Sequence, residues 1–168
     1  YKGERKRKVY FELGDLPGTS WIYFPAVFNR LAELLKNKGC KTYVVSGKNK
    51  NKFLEGFKEG DAVIYIGHSI VESIVEGDKE WINFKGLTPD MKTAEIIVSV
   101  KNGKRELNLL VIESCYSNCL INGDDVYGPQ IMPQWLESPW VFIGWDRPAR
   151  AVEVIACLLH TSDAADEG

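Results

Sequence analysis

Histidine is nearly missing from this chain, and its few cysteines do not pair up. The 168 residues contain only His68 and His160, with cysteines at Cys40, Cys115, Cys119 and Cys157. So few thiols in a chain this long exclude a disulfide framework and favour a reducing compartment, the cytoplasm first. There is no Cys-x-x-Cys pair; His68, Cys115 and Cys119 would give a metal only three ligands, so a metal centre is not expected. No apolar run approaches the roughly 18 residues of a membrane span. Charge of one sign is lacking too. The formal net charge of −2 gives no electrostatic case for nucleic acid or an anionic membrane surface as partner. The basic run Lys2 to Lys8 reads as a solvated lead-in.

Both ends of the chain carry signals of their own. It opens on Tyr1 rather than Met, and sequence is expected to be missing before it, which leaves a leader and hence the compartment open. At the other end, Cys157 to Glu167 resembles the translation of a sequencing adapter, differing at one His. Residues 157–168 are therefore set aside as a non-native tail, and residues 1–156 are read as one truncated domain. Without Asp163, Asp166 and Glu167 the acids fall from 23 to 20 against 21 bases, so the remaining charge is +1. His68 is then the single histidine.

What is present is a set of short apolar runs separated by helical patterns. Leu107 to Ile112 is almost wholly apolar, the mark of a strand buried on both faces of a parallel sheet. Asp61 to Ile66 has the same form. Lys8 to Leu13 and Lys41 to Ser46 read as earlier strands, and Trp140 to Trp145 as a later buried one. Phe24 to Lys38 places Val27, Leu31, Leu34 and Leu35 at helical spacing, ended by Gly39. Lys50 to Lys58 is a shorter helix. Ser73 to Val75 and Trp81 to Phe84 form a small hairpin outside the main sheet. Thr88-Pro89-Asp90 has the residues of a helix start, with Thr as cap and Pro at the first position. That helix would run through Ala94 to Val100 against the β-branched preference of those residues, because parallel neighbours need a crossover. The stretch with Gly123, Gly128, Pro129 and Pro133 reads as a loop over the site, and Ala149 begins a last helix. Alternating strand and helix predict an α/β fold of three layers, a mostly parallel sheet with helices on both faces.

Two of the buried runs end in reactive side chains. One delivers His68 and the other Cys115, 47 residues later, to the carboxyl edge of the sheet, where open α/β sheets bind ligands. A thiolate is the nucleophilic form of cysteine, and an imidazole generates it or protonates a leaving group. Backbone N–H groups at Ser69 and Cys115 are candidate oxyanion donors. A single cysteine is ordinarily a small buried hydrophobe, and Cys40 and Cys119 are read that way.

Tyr65-Ile66-Gly67-His68-Ser69, followed by Val111-Ile112-Glu113-Ser114-Cys115-Tyr116-Ser117-Asn118, resembles the caspase-fold (clan CD) cysteine peptidases, the metacaspase-like, clostripain-like and gingipain-like enzymes. Their pattern is a strand ending in Gly-His-Gly and a later strand ending in Asp-(Ser/Ala)-Cys-(Tyr/His)-Ser-Gly. The resemblance covers about residues 8–156 and implies a caspase-like fold. It further implies a Cys115 nucleophile, a His68 general acid/base, a protein or peptide substrate and no metal or organic cofactor. Ser69 stands where Gly is usual, so an oxyanion donor there would carry a side chain that crowds the substrate. Glu113 stands for Asp and Asn118 for Gly. By the same match Glu113 would favour Arg or Lys at P1, against the plainer reading of a surface acid at a strand end. Trp145 and Asp146, after the next strand, would line the substrate pocket, against the plainer reading of Trp145 as packing. Two contrasting readings stand beside this one. A caspase-fold scaffold could have lost its chemistry, and Gly67-His68-Ser69-Ile70-Val71 is similar to an α/β-hydrolase nucleophile elbow with Ser69 as nucleophile, although the final Gly is lacking.

Overall fold

A computed structural model describes residues 5–16, 20–119, 141–145 and 147–150. The elements in chain order are β1 (Lys8–Leu13), α1 (Ser20–Asn37), β2 (Lys41–Ser46), α2 (Lys50–Glu59), β3 (Ala62–Ile66), β4 (Ser69–Glu76), β5 (Lys79–Leu87), β6 (Met91–Lys92), α3 (Thr93–Lys101), β7 (Leu109–Glu113) and β8 (Val141–Ile143), with a single 3-10 turn at Ser117–Cys119. Strands β2-β1-β3-β7-β8, in that order, form one sheet in which every neighbouring pair is parallel. The hairpin β4–β5 and the short β6 form a separate antiparallel sheet.

Alternation along the parallel strands decides what each helix covers. Val9, Phe11, Leu13 and Ile66 pack with Phe24, Phe28 and Ala32 of α1 on one face. Tyr10, Val63, Tyr65, Leu110 and Ile112 pack with Phe53 and Phe57 of α2 and with Ile96, Ile97 and Val100 of α3 on the other. The three layers expected from the strand–helix alternation are therefore present, and so is the hairpin outside the main sheet.

Four sequence expectations are corrected. The crossover helix α3 does not start at Thr88-Pro89. Asp90 takes a left-handed φ of 30°, and Met91 and Lys92 pair with Leu87 and Gly86 as β6. The helix begins only at Thr93, where the Glu95 carboxylate accepts the Lys92 N–H at 2.9 Å and the Thr93 hydroxyl donates to the Phe84 carbonyl. Helix α1 begins at Ser20, one turn before Phe24, and carries Pro25 inside it. The strand around Val141 is shorter than expected and is half exposed at Val141 and Ile143, because it is the last strand of the sheet among the described residues. No helix has begun at Ala149 or Arg150. The loop around Gly123 to Pro133 and the tail at 157–168 lie outside the described residues. Among the described residues, no helix is long and apolar enough to cross a membrane.

One polar side chain breaks the core. Glu12, the next-to-last residue of β1 beside Tyr65 and Val45, is fully buried, and among the described residues neither carboxyl oxygen has a hydrogen-bond partner. It fits under α2 only because Gly56 stands there; a Cβ on Gly56 would lie 2.7 Å from Glu12 Oε2. Burial holds the carboxyl well above its ordinary value of 4.5, in its neutral form. The unfolded chain ionises at lower pH than the folded one, so stability is full below about 4.5 and is lost as pH rises through the folded value. Glu12→Gln cannot ionise. It is expected to melt above the wild type at alkaline pH, with the gap closing toward pH 4.5. Circular-dichroism melts that keep one constant gap across that range would contradict a neutral Glu12.

Candidate active site

His68 lies two residues past β3, where the chain is squeezed against β1. The Gly14 N–H donates to the Ile66 carbonyl at 2.8 Å, and the His68 N–H donates to the Asp15 carbonyl at 2.9 Å. Only glycine fits at this crossing. A Cβ on Gly67 would stand 2.6 Å from the Tyr65 hydroxyl oxygen and 2.9 Å from Gly14 Cα. The Tyr65 hydroxyl donates to the Thr88 carbonyl at 2.6 Å and lies 2.9 Å from the His68 carbonyl, which also accepts the Thr88 N–H at 3.0 Å. The backbone of His68 is thus tied on both sides while its side chain is exposed.

Cys115 sits on a sharp turn just after β7. Tyr116 takes a left-handed φ of 54°, unusual for a residue other than glycine. Neighbouring groups hold that conformation. The Tyr116 N–H donates to the Arg147 carbonyl at 3.1 Å, and the Asn118 N–H to the Trp145 carbonyl at 2.9 Å. Buried Ser117 donates its hydroxyl to the Ile112 carbonyl at 2.7 Å and accepts the Trp145 N–H at 2.9 Å. The Cys115 thiol is free and half-buried.

The register brings the two segments level. Ala62 pairs with Leu109 and Ile66 with Glu113, an offset of 47 that equals the separation of His68 from Cys115. Two bonds carry the pairing beyond the ladder. The Gly67 N–H donates to the Glu113 carbonyl at 3.3 Å, and the Ser69 hydroxyl donates to the Cys115 carbonyl. The Thr88 N–H reaches the His68 carbonyl across the Ser69–Leu87 pair, which makes that pair the non-hydrogen-bonded type. The Ser69 N–H therefore points away from β5.

Glu113 is not the surface acid of the plainer sequence reading. It is 5% exposed, and its carboxyl accepts the indole N–H of Trp145. Burial raises its pKa, and the indole bond partly offsets this. Trp145 itself packs with the α1-side cluster, and the Arg147 guanidinium lies 5.7 Å from the ring centroid. Of the expected pocket pair, Trp145 bonds Glu113 and packs in the α1-side cluster, and Asp146 lies outside the described residues. Cys119 is in the 3-10 turn after the site, and Cys40 is a free thiol remote in sequence at the start of β2. Among the described residues, no three His, Cys, Asp or Glu side chains gather as a metal would require.

Beside Asp15, at the carboxyl ends of β1 and β2, a cleft of about 720 Å³ opens between Leu13, Leu16, Pro25 and Val44, with Asn29 and Lys48 at its walls. The sequence reading passed over Gly14, Asp15, Tyr65 and Ser117. Gly14 carried a signal, since a glycine directly after a buried strand marks close backbone approach; the others did not. A comparison with protein-family models finds no match, and a comparison with curated proteins finds none.

Tyr65→Phe removes the hydroxyl that reaches both carbonyls and is expected to destabilise the fold by about 1–3 kcal/mol. Urea titration measures this; a loss below about 0.5 kcal/mol would show that the His68 and Thr88 carbonyls do not depend on it.

Proposed function

We propose that this chain is a cysteine endopeptidase of the caspase-fold kind, acting through Cys115 and His68. The observation that supports the reading is the β3–β7 register, whose offset of 47 is that between His68 and Cys115, together with a free, half-buried thiol at the carboxyl edge of a parallel sheet. The motif resemblance around both residues supports it independently.

In this mechanism the Cys115 thiolate attacks the scissile carbonyl of a protein or peptide, forming a C–S bond. The Ser69 and Cys115 N–H groups stabilise the oxyanion. His68 gives its proton to the leaving amine as the C–N bond breaks, then takes a proton from the water that releases the acyl group. No metal or organic cofactor enters any step. The cleft next to Asp15 is lined by neither His68 nor Cys115; it is joined to the site through the His68 N–H bond to the Asp15 carbonyl. A P1 Arg or Lys reaching Glu113 would meet a carboxyl already engaged by the Trp145 indole.

An acyloxymethyl-ketone peptide probe tests this, offered with P1 Arg and with P1 Asp. Wild type is expected to label; Cys115→Ala should abolish labelling, and His68→Ala should slow it by about 10²-fold or more. Faster labelling with Arg supports the Glu113 role. A folded wild-type chain that takes up neither probe would overturn the peptidase reading and leave a caspase-like scaffold.

A further inference from the structure

We propose that Ser69 is a positioning residue whose hydroxyl locks the His68 segment to the Cys115 segment; this rests on the Cys115/His68 reading above. The sheet's own ladder stops short of both reactive residues, with Ile66 opposite Glu113 as the last paired position. Beyond it the two chains part. After His68 the backbone leaves into the hairpin at β4, and after Cys115 it turns through the left-handed Tyr116. The Gly67 N–H to Glu113 carbonyl bond lies on one side of His68, and the Ser69 hydroxyl to Cys115 carbonyl bond on the other. The imidazole is bracketed by these two links, and the second is made by a side chain.

The same bond acts on the thiol. The peptide unit joining Cys115 to Tyr116 is gripped at both ends, its C=O by the Ser69 hydroxyl and its N–H by the Arg147 carbonyl at 3.1 Å. A left-handed residue other than glycine persists only where its surroundings over-determine it, and these two bonds do so. Turning the hydroxyl back onto the Cys115 carbonyl also removes the objection to a side chain at this position. The oxygen that would crowd the substrate is occupied, and the Ser69 N–H points away from β5. With alanine at 69, His68 would still be tied to Asp15, Tyr65 and Thr88, all outside β7, and no hydrogen bond among the described residues would refer its C-terminal side to Cys115.

The test needs no substrate. On the full chain, iodoacetamide alkylation of Cys115 is followed by peptide mass mapping from about pH 5 to about pH 9, spanning imidazole titration. Mapping separates Cys115 from Cys40, Cys119 and Cys157. Amide hydrogen exchange at Tyr116 reads the grip directly. Ser69→Ala is expected to slow Cys115 alkylation at neutral pH by about tenfold, the worth of one hydrogen bond, and to weaken the alkylation at mildly acidic pH that His68→Ala removes, leaving only the rise that comes with thiol ionisation. Tyr116 exchange should speed up, and Ser69→Thr, which keeps the hydroxyl, should restore all three. If His68→Ala changes the pH profile and Ser69→Ala does not, the positioning role is overturned while the dyad stands. If His68→Ala leaves the profile unchanged, the dyad fails, and the role of Ser69 falls with it even where Tyr116 exchange responds.

Discussion

Everything at the reactive edge depends on the parallel pairing of β3 with β7 in one register. A parallel strand has a side-chain period of two, so a slip of one residue would move Leu110 and Ile112 from the α2–α3 face to the α1 face. It would also carry Glu113 away from Trp145. Burial on both faces thus selects the register, and the register in turn decides which residues meet beyond the strand ends. Residues that never touch solvent hold the position of residues that do.

The polar groups near this edge are arranged to tie backbone to backbone. Tyr65, Ser69, Thr88 and Ser117 each direct a hydroxyl at a main-chain carbonyl within a few residues of His68 or Cys115. Such bonds do for irregular chain what the ladder does for strands, satisfying carbonyls that would otherwise be desolvated without partners. Glu12, buried on the α2 face, and Ser114, next to Cys115, are the exceptions, with no side-chain hydrogen-bond partner among the described residues. A neutral carboxyl avoids most of the cost of burying a charge, and its position is a void shaped by Gly56 rather than a network.

Much of the layout was legible in the sequence, since buried parallel strands are short and continuously apolar and the helices between them have their own period. The His68 and Cys115 ends stood out for the same reason: each run stops abruptly in small and polar residues. What escaped the sequence was long-range pairing. Thr88-Pro89-Asp90 carries a genuine helix-start signal, yet β6 pairs with β5 and takes those residues into a turn, and nothing local announces that partner. The plainer reading of Glu113 as a surface acid missed its burial because its indole donor lies 32 residues further on. Ser69 looked like an obstruction because its acceptor, the Cys115 carbonyl, is 46 residues away. Side chains that bond across such distances have no sequence period by which they can be found.

The turn at Tyr116 also has a consequence for the order in which the chain is made. Its N–H is held by Arg147, and the neighbouring Asn118 N–H by Trp145, so the last contacts that shape the Cys115 segment come from residues translated about thirty codons later. Helices α1 and α2 close locally and early, whereas these contacts span long sequence separations and close late. A nascent chain that has emerged through β7 already carries the thiol but not its turn. The backbone geometry around Cys115 therefore depends on docking of the segment after β8.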